Sequence, residues 1–145
     1  MSAAPEAGAP DAATRTETGL PAPPEARGRT LVVACGALAR EILALRALNR
    51  WDWLDLQCLP AILHNRPDRI PDAVGAAVRA ARDRYDRVFV AYADCGTGGR
   101  LSARCAALGV EMIAGPHCYA FFDGLAAFEA RGDAEMRAFY LTDFL

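Results

Sequence analysis

Five cysteines and two histidines carry most of the chemistry open to this chain. Cys35, His64, Cys95, His117 and Cys118 fall where apolar runs give way to polar loops, in VVACG, AILHN, YADCGTGG and GPHCY. Thiolates and imidazoles are the donors that zinc and other borderline or soft transition metals take. Cys95, His117 and Cys118, completed by His64 or Cys35, would supply enough ligands. There is no C-x-x-C and no H-x-x-x-H, so the neighbours His117 and Cys118 could both bind only from an irregular loop. A second chemistry makes Cys95 a nucleophile. It lies just before a helix start, where the dipole lowers a thiol pKa. His117 would be its base and Asp94 would orient that base. A third uses the amides of Gly96, Gly98 and Gly99 to hold a phosphate, a carboxylate or part of a cofactor, with Cys35 beside them. The G-x-G-G spacing is neither the dinucleotide fingerprint nor the P-loop. Plain structural roles compete with all three: glycines as turn residues, thiols as small buried hydrophobes. They are favoured for Cys58, inside a strand, and for Cys105, on a helix with Leu101, Ala106 and Leu108.

The elements that must position these residues are legible as alternating patterns. TLVVACG reads as a buried strand. ALAREILALRALNR then sets Leu38, Ile42, Leu45 and Leu48 on one helical face. WLDLQCLP is a second strand stopped by Pro60, and AILHNRPDRI is a loop. Pro71 opens a helix whose stripe is Ile70, Val74, Ala77, Val78, Ala81 and Tyr85. RVFVAYA is a third strand, GGRLSARCAALG a short helix capped by Gly109, and VEMIAG a fourth strand. HCYAFFDGLAAFEARGD follows as helix broken near Gly124 or Gly132, and FYLTDFL as a fifth strand. Trp51 and Trp53 are expected to pack beside the second strand, and Phe121, Phe122, Phe128 and Phe139 to build a C-terminal core. Strand–helix alternation with apolar strands predicts an α/β fold: a three-layer sandwich on a mostly parallel sheet of four to five strands, Rossmann-like or flavodoxin-like in general type. In such sheets ligands bind beyond the carboxyl ends of the strands. Every strand exit here brings a thiol or an imidazole to that rim. The strand order itself is not encoded in these patterns.

Composition narrows the possibilities. A length of 145 residues suits one domain. Residues 1–28, rich in Ala, Pro, Glu, Thr and Gly, have too little apolar surface to offset their ordering entropy and are expected to be a disordered leader; residues 29–145 form the domain. A net charge of −2 gives no electrostatic case for nucleic acid or an anionic membrane. All 16 basic residues are arginine, which rules out a Schiff-base or P-loop lysine. No apolar run approaches the roughly 18 residues of a membrane span. The N-terminus lacks the basic and apolar regions of a secretory signal. Cysteines without an export signal read as free thiols or metal ligands, and a cytoplasmic protein is expected.

LVVACGALAREI, YADCGTGG, GPHCYAFFDG and FYLTDFL, in that order over about residues 30–145, resemble the prokaryotic family catalogued as domain of unknown function 1638. The resemblance implies an α/β domain whose recurring polar blocks fall on Cys35, Asp94, Cys95, Gly96, His117 and Cys118. Some members look to be encoded beside corrinoid-dependent methyltransferase components, which implies a link to one-carbon metabolism. Members continue past the last block, which implies a chain shortened at its C-terminus. Three functions follow as expectations. The first is a protein that binds a metal or metallo-cofactor through Cys95, His117, Cys118 and His64, accessory to corrinoid methyl transfer. The second is a cysteine-dependent enzyme acting on a small anionic substrate through Cys95, His117 and Asp94. The third is a non-catalytic module for a small ligand or for self-association into a homo-oligomer.

Overall fold

Buried strands need both faces covered, and the first strand shows it. In the computed structural model, which describes residues 18–22, 29–118 and 120–131 (the side chain of Asp123 aside), β1 spans Thr30–Cys35 and every residue after Thr30 is buried. Leu31, Val33 and Cys35 turn to one face, Val32 and Ala34 to the other. After a single 3-10 turn at Gly36–Leu38 comes α1, Ala39–Asn49; β2 is Leu54–Leu59. Two further 3-10 turns, Ala61–Asn65 and Pro67–Arg69, lead into α2, Ile70–Ala81. Then come β3, Arg87–Ala91, α3, Arg100–Leu108, and β4, Glu111–Met112. Two short helices follow, α4 at Ala120–Asp123 and α5 at Leu125–Arg131, parted by Gly124.

Among the described residues the strands form one parallel sheet in the order β2-β1-β3-β4. One layer is α1, whose Ala39, Ile42 and Leu43 meet Val32, Ala34, Leu54, Leu56 and Cys58. The opposite layer is α2 and α3, with Val74, Val78, Leu101 and Cys105 packed on Cys35 and Val90. This is the α/β sandwich of Rossmann-like type. The crossover from β1 leaves toward β2, and the crossover from β3 leaves the other way, toward β4. Adjacent β1 and β3 therefore mark a topological switch point, and their connecting loops splay apart to open a crevice at the carboxyl ends.

The elements follow the sequence patterns with informative exceptions. The α2 stripe, Ile70 through Ala81, is buried as its spacing requires, and Tyr85 is buried just beyond the helix end. The α1 stripe docks only in its first half: Leu38 is buried, whereas Leu45 and Leu48 are 50% and 80% exposed. Periodicity gives the angle between side chains and says nothing about how far the covering layer extends. Trp51 and Trp53 touch each other, with ring centroids 6.2 Å apart, and stand at the surface rather than in packing. Phe121 packs on the core, and Phe122 is exposed. Gly109 ends α3 with φ of 68°: its N–H donates to Ala106 O and the Val110 N–H to Cys105 O, the paired bonds of a Schellman motif. Within the expected leader, Leu20 exchanges both backbone hydrogen bonds with Cys58, at 2.8 and 2.7 Å, and covers the outer edge of β2. Gly19 beside it has no room for a Cβ against the Cys58 carbonyl. The fifth strand expected at FYLTDFL, Phe139 and most of the leader lie outside the described residues. Among the described residues no helix is long and apolar enough to cross a membrane.

A candidate metal centre at the sheet's carboxyl rim

Four loops place the site. Cys35 is the last residue of β1. His64 lies in the 3-10 turn after β2, held by the Leu63 N–H to Pro60 O and the Arg66 N–H to Leu63 O bonds. Beyond β3 the chain does not turn at once. The Asp94 N–H donates to Gly115 O at 2.9 Å and the Cys95 N–H to Pro116 O at 3.0 Å, so the exits of β3 and β4 run side by side. That extension brings Cys95 against Cys118, 23 residues away in sequence. Cys95 takes φ of 49°, a left-handed conformation unusual for a residue with a Cβ, which aims its side chain inward.

The Cys95 and Cys118 sulfurs are 3.0 Å apart. One ring nitrogen of His64 joins them, the three donor atoms lying within 4.8 Å of one another. The His64 Nδ1 sits 3.4 Å from the Cys35 sulfur. Its Nε2 is buried and has no hydrogen-bond partner among the described residues. A buried nitrogen without a bond is costly unless a neighbouring charge, here the Cys95 sulfur, or a bound group compensates it. The Tyr92 hydroxyl, in the same core cluster as Cys35, Cys95 and Cys118, is buried and likewise unpartnered among the described residues. The His117 ring packs on His64 with centroids 5.6 Å apart.

Electrostatics sorts the donors. The Cys118 thiol donates to the Cys95 sulfur, and His64 and the Cys118 backbone N–H add to it. Together they outweigh burial and hold Cys95 down at about 4 from an ordinary 9.0. Cys118, donating to that thiolate and buried, is pushed well up. The Cys35 contact and then Cys95 raise His64 from 6.5 to about 10, against burial. Without metal, the site is a Cys95 thiolate beside a His64 imidazolium. Burial lowers the His117 pKa, against the pull of the Cys95 sulfur, and so favours its neutral ring.

Asp94 works on its own loop. Its carboxylate accepts from the Thr97 hydroxyl at 2.7 Å, the Gly98 N–H at 3.1 Å and the Gly99 N–H at 2.7 Å. Burial opposes ionisation, but the bonds from Gly99, Thr97, Gly98 and Gly96 win and keep the carboxyl below its usual range. This corrects two expectations. Asp94, expected to orient His117, directs its described hydrogen bonds to its own loop, at Thr97, Gly98 and Gly99. The Gly98 and Gly99 amides do not form an anion cradle, because Asp94 already takes them. Gly96 stands exposed beside Pro67.

The sequence named this rim and offered both imidazoles as ligands, and the structure places His64 within the trio. Cys95 and Cys118 come together as expected, and His64 rather than His117 completes the trio. Cys35 stands behind His64 as its hydrogen-bond partner. Cys58 and Cys105 are buried in the core, as their patterns imply. Tyr92 and Thr97 were missed. Tyr92 reads in sequence as one more strand aromatic, but the D-x-x-T spacing of Asp94 and Thr97 is the signature of a side chain folding back on its own loop.

A metal fits the donor set. Tetrahedral zinc with bonds of about 2.3 Å to sulfur separates two thiolates by about 3.8 Å, so the pair would open by under an ångström. A tetrahedral ion held by these three donors would keep a fourth position open among the described residues. No curated protein and no solved structure matches the chain. The family described as "Protein of unknown function (DUF1638)" matches over residues 58–145, a stretch that contains His64, Cys95 and Cys118 and begins in β2. The chain belongs to that family.

Proposed function

We propose that the protein binds a thiophilic transition-metal ion, zinc or a metal of similar preference, through His64 Nε2, Cys95 Sγ and Cys118 Sγ. The observation that carries this reading is the buried, unpartnered Nε2 in a trio of donors within 4.8 Å. The Cys35 contact at Nδ1 supports it, since a ligating imidazole commonly anchors its other nitrogen. A metal would act there as a Lewis acid on whatever takes the open position. His117 stands beside His64 as a neutral base, and Tyr92 offers a hydrogen bond from within the core.

A cysteine-nucleophile enzyme shares the Cys95 thiolate, but Cys95 is only 5% exposed, which bars any bulky electrophile. The corrinoid association remains a proposal about partners, carried by the resemblance alone.

The test is anaerobic purification, loading with zinc or cobalt, desalting and elemental analysis. The wild type is expected to hold about one metal per chain. His64→Ala and Cys118→Ser should hold almost none, and His117→Ala should keep it. Cys35→Ala should bind roughly 10- to 100-fold more weakly, as loss of a ligand's anchoring partner does. A fully loaded Cys118→Ser, or an unloaded wild type, would defeat the reading.

A further inference from the structure

Two sulfurs in contact can also store an electron pair. We propose that Cys95 and Cys118 reduce a small hydroperoxide and close to an intramolecular disulfide, a state that cannot hold the metal. The disulfide step stands on its own geometry, whereas the metal release rests on the function proposed above.

The sulfurs are 3.0 Å apart, and a disulfide needs about 2.05 Å, so each must move about half an ångström. Cys95 lies in a loop of positive-φ residues, Cys95 to Gly99 apart from Thr97, with open space around Gly98 and Gly99. Cys118 lies one residue past His117 in the turn before α4. Neither sulfur is locked in a helix or strand. Burial limits the oxidant: at 5% and 2% exposure the pair is closed to a folded or tripeptide disulfide, so only an oxidant as small as a peroxide suits it.

The steps balance. The Cys95 thiolate attacks the terminal peroxide oxygen. An S–O bond forms, the O–O bond breaks, and the departing oxygen takes a proton from the His64 ring. The Cys118 sulfur then attacks the Cys95 sulfur. The S–S bond forms, the S–O bond breaks, and hydroxide leaves as water with the Cys118 proton. Two thiols and one hydroperoxide become one disulfide, one water and one alcohol, or a second water when the oxidant is hydrogen peroxide. The disulfide consumes two of the three proposed ligands, so oxidation expels the ion and a thiol reductant restores the site.

The experiment treats the reduced, metal-free full chain with one equivalent of hydrogen peroxide and maps the cross-links by mass spectrometry. A Cys95–Cys118 link is expected, unchanged in Cys105→Ser. Cys118→Ser should stop at a sulfenic acid on Cys95 that a dione reagent traps. Cys95→Ser should consume peroxide at least roughly tenfold more slowly. Absence of the link in the wild type, or undiminished consumption by Cys95→Ser, overturns the proposal. A second arm preloads zinc, which should leave as the link forms. A chain that forms the link but never took zinc overturns the metal reading and keeps the redox pair. A chain that takes zinc and forms no link overturns the redox pair and keeps the metal.

Discussion

At the scale of single residues, the site is a balance between two charges that need each other. His64 is raised to about 10 because the Cys35 and Cys95 sulfurs favour its protonated ring. Its contribution to stability is complete below its ordinary 6.5 and is lost as pH climbs through 10. Cys95 is held down to about 4 by Cys118 and His64. Its contribution is complete above its ordinary 9.0 and is lost as pH falls through 4. Between about pH 6.5 and 9 the two slopes oppose each other. The metal-free protein should therefore show a nearly flat urea midpoint across that window and fall off on both sides. Depressed His117 adds to the acid loss, and raised Cys118 adds to the alkaline one. His64→Gln should abolish the plateau and leave a midpoint that rises steadily from pH 5 to 9; a persistent plateau would show that the pair is not what sets it. A metal bound as proposed would displace the His64 and Cys118 protons, so its affinity should increase with pH through the same window.

At the scale of elements, the loop from Asp94 to Gly99 is the device that aims Cys95. The Asp94 carboxylate gathers one hydroxyl and two amides of the turn before α3, while the Thr97 hydroxyl oxygen accepts from the first-turn Leu101 N–H. Asp94→Ala should cost about 2 kcal/mol in urea denaturation, the scale of losing hydrogen bonds to a charged group. It should weaken metal binding as well, although Asp94 is no ligand. Asp94→Asn keeps an acceptor oxygen and should recover much of both. If Asn fails as badly as Ala, the carboxylate's charge matters more than its hydrogen bonds. The glycines after Asp94 showed that a turn could form here. It did not show that the turn would consume its own amides, because a free amide and a satisfied one have the same sequence.

At the scale of the whole molecule, the two ends of the sheet do different work. At the amino end Asp55, 4% exposed, accepts from Arg29 Nε at 2.8 Å and from the Tyr85 hydroxyl at 3.1 Å, tying the starts of β1, β2 and β3 together. Asp55 pairs with Leu31 while Leu59 pairs with Cys35, so four residues, about 13 Å of strand, separate the ion pair from the rim. Asp55→Ala should therefore cost about 2–3 kcal/mol, less than a fully buried pair because Arg29 is partly exposed, and leave metal affinity within a factor of two. A large loss of affinity would mean that the two ends are coupled. The sequence by itself determined the α/β class, the stripe of α2, a helix break near Gly124 or Gly132 and the gathering of thiols and imidazoles at strand exits, because hydrophobic period and turn chemistry are local. Tertiary structure alone decided the order β2-β1-β3-β4, the exposure of Leu45 and Leu48, and the choice of His64 over His117 as partner to Cys95 and Cys118. Those depend on which loops become neighbours at the switch point, and a distance between residues 31 positions apart is set by sheet geometry rather than by the residues between them.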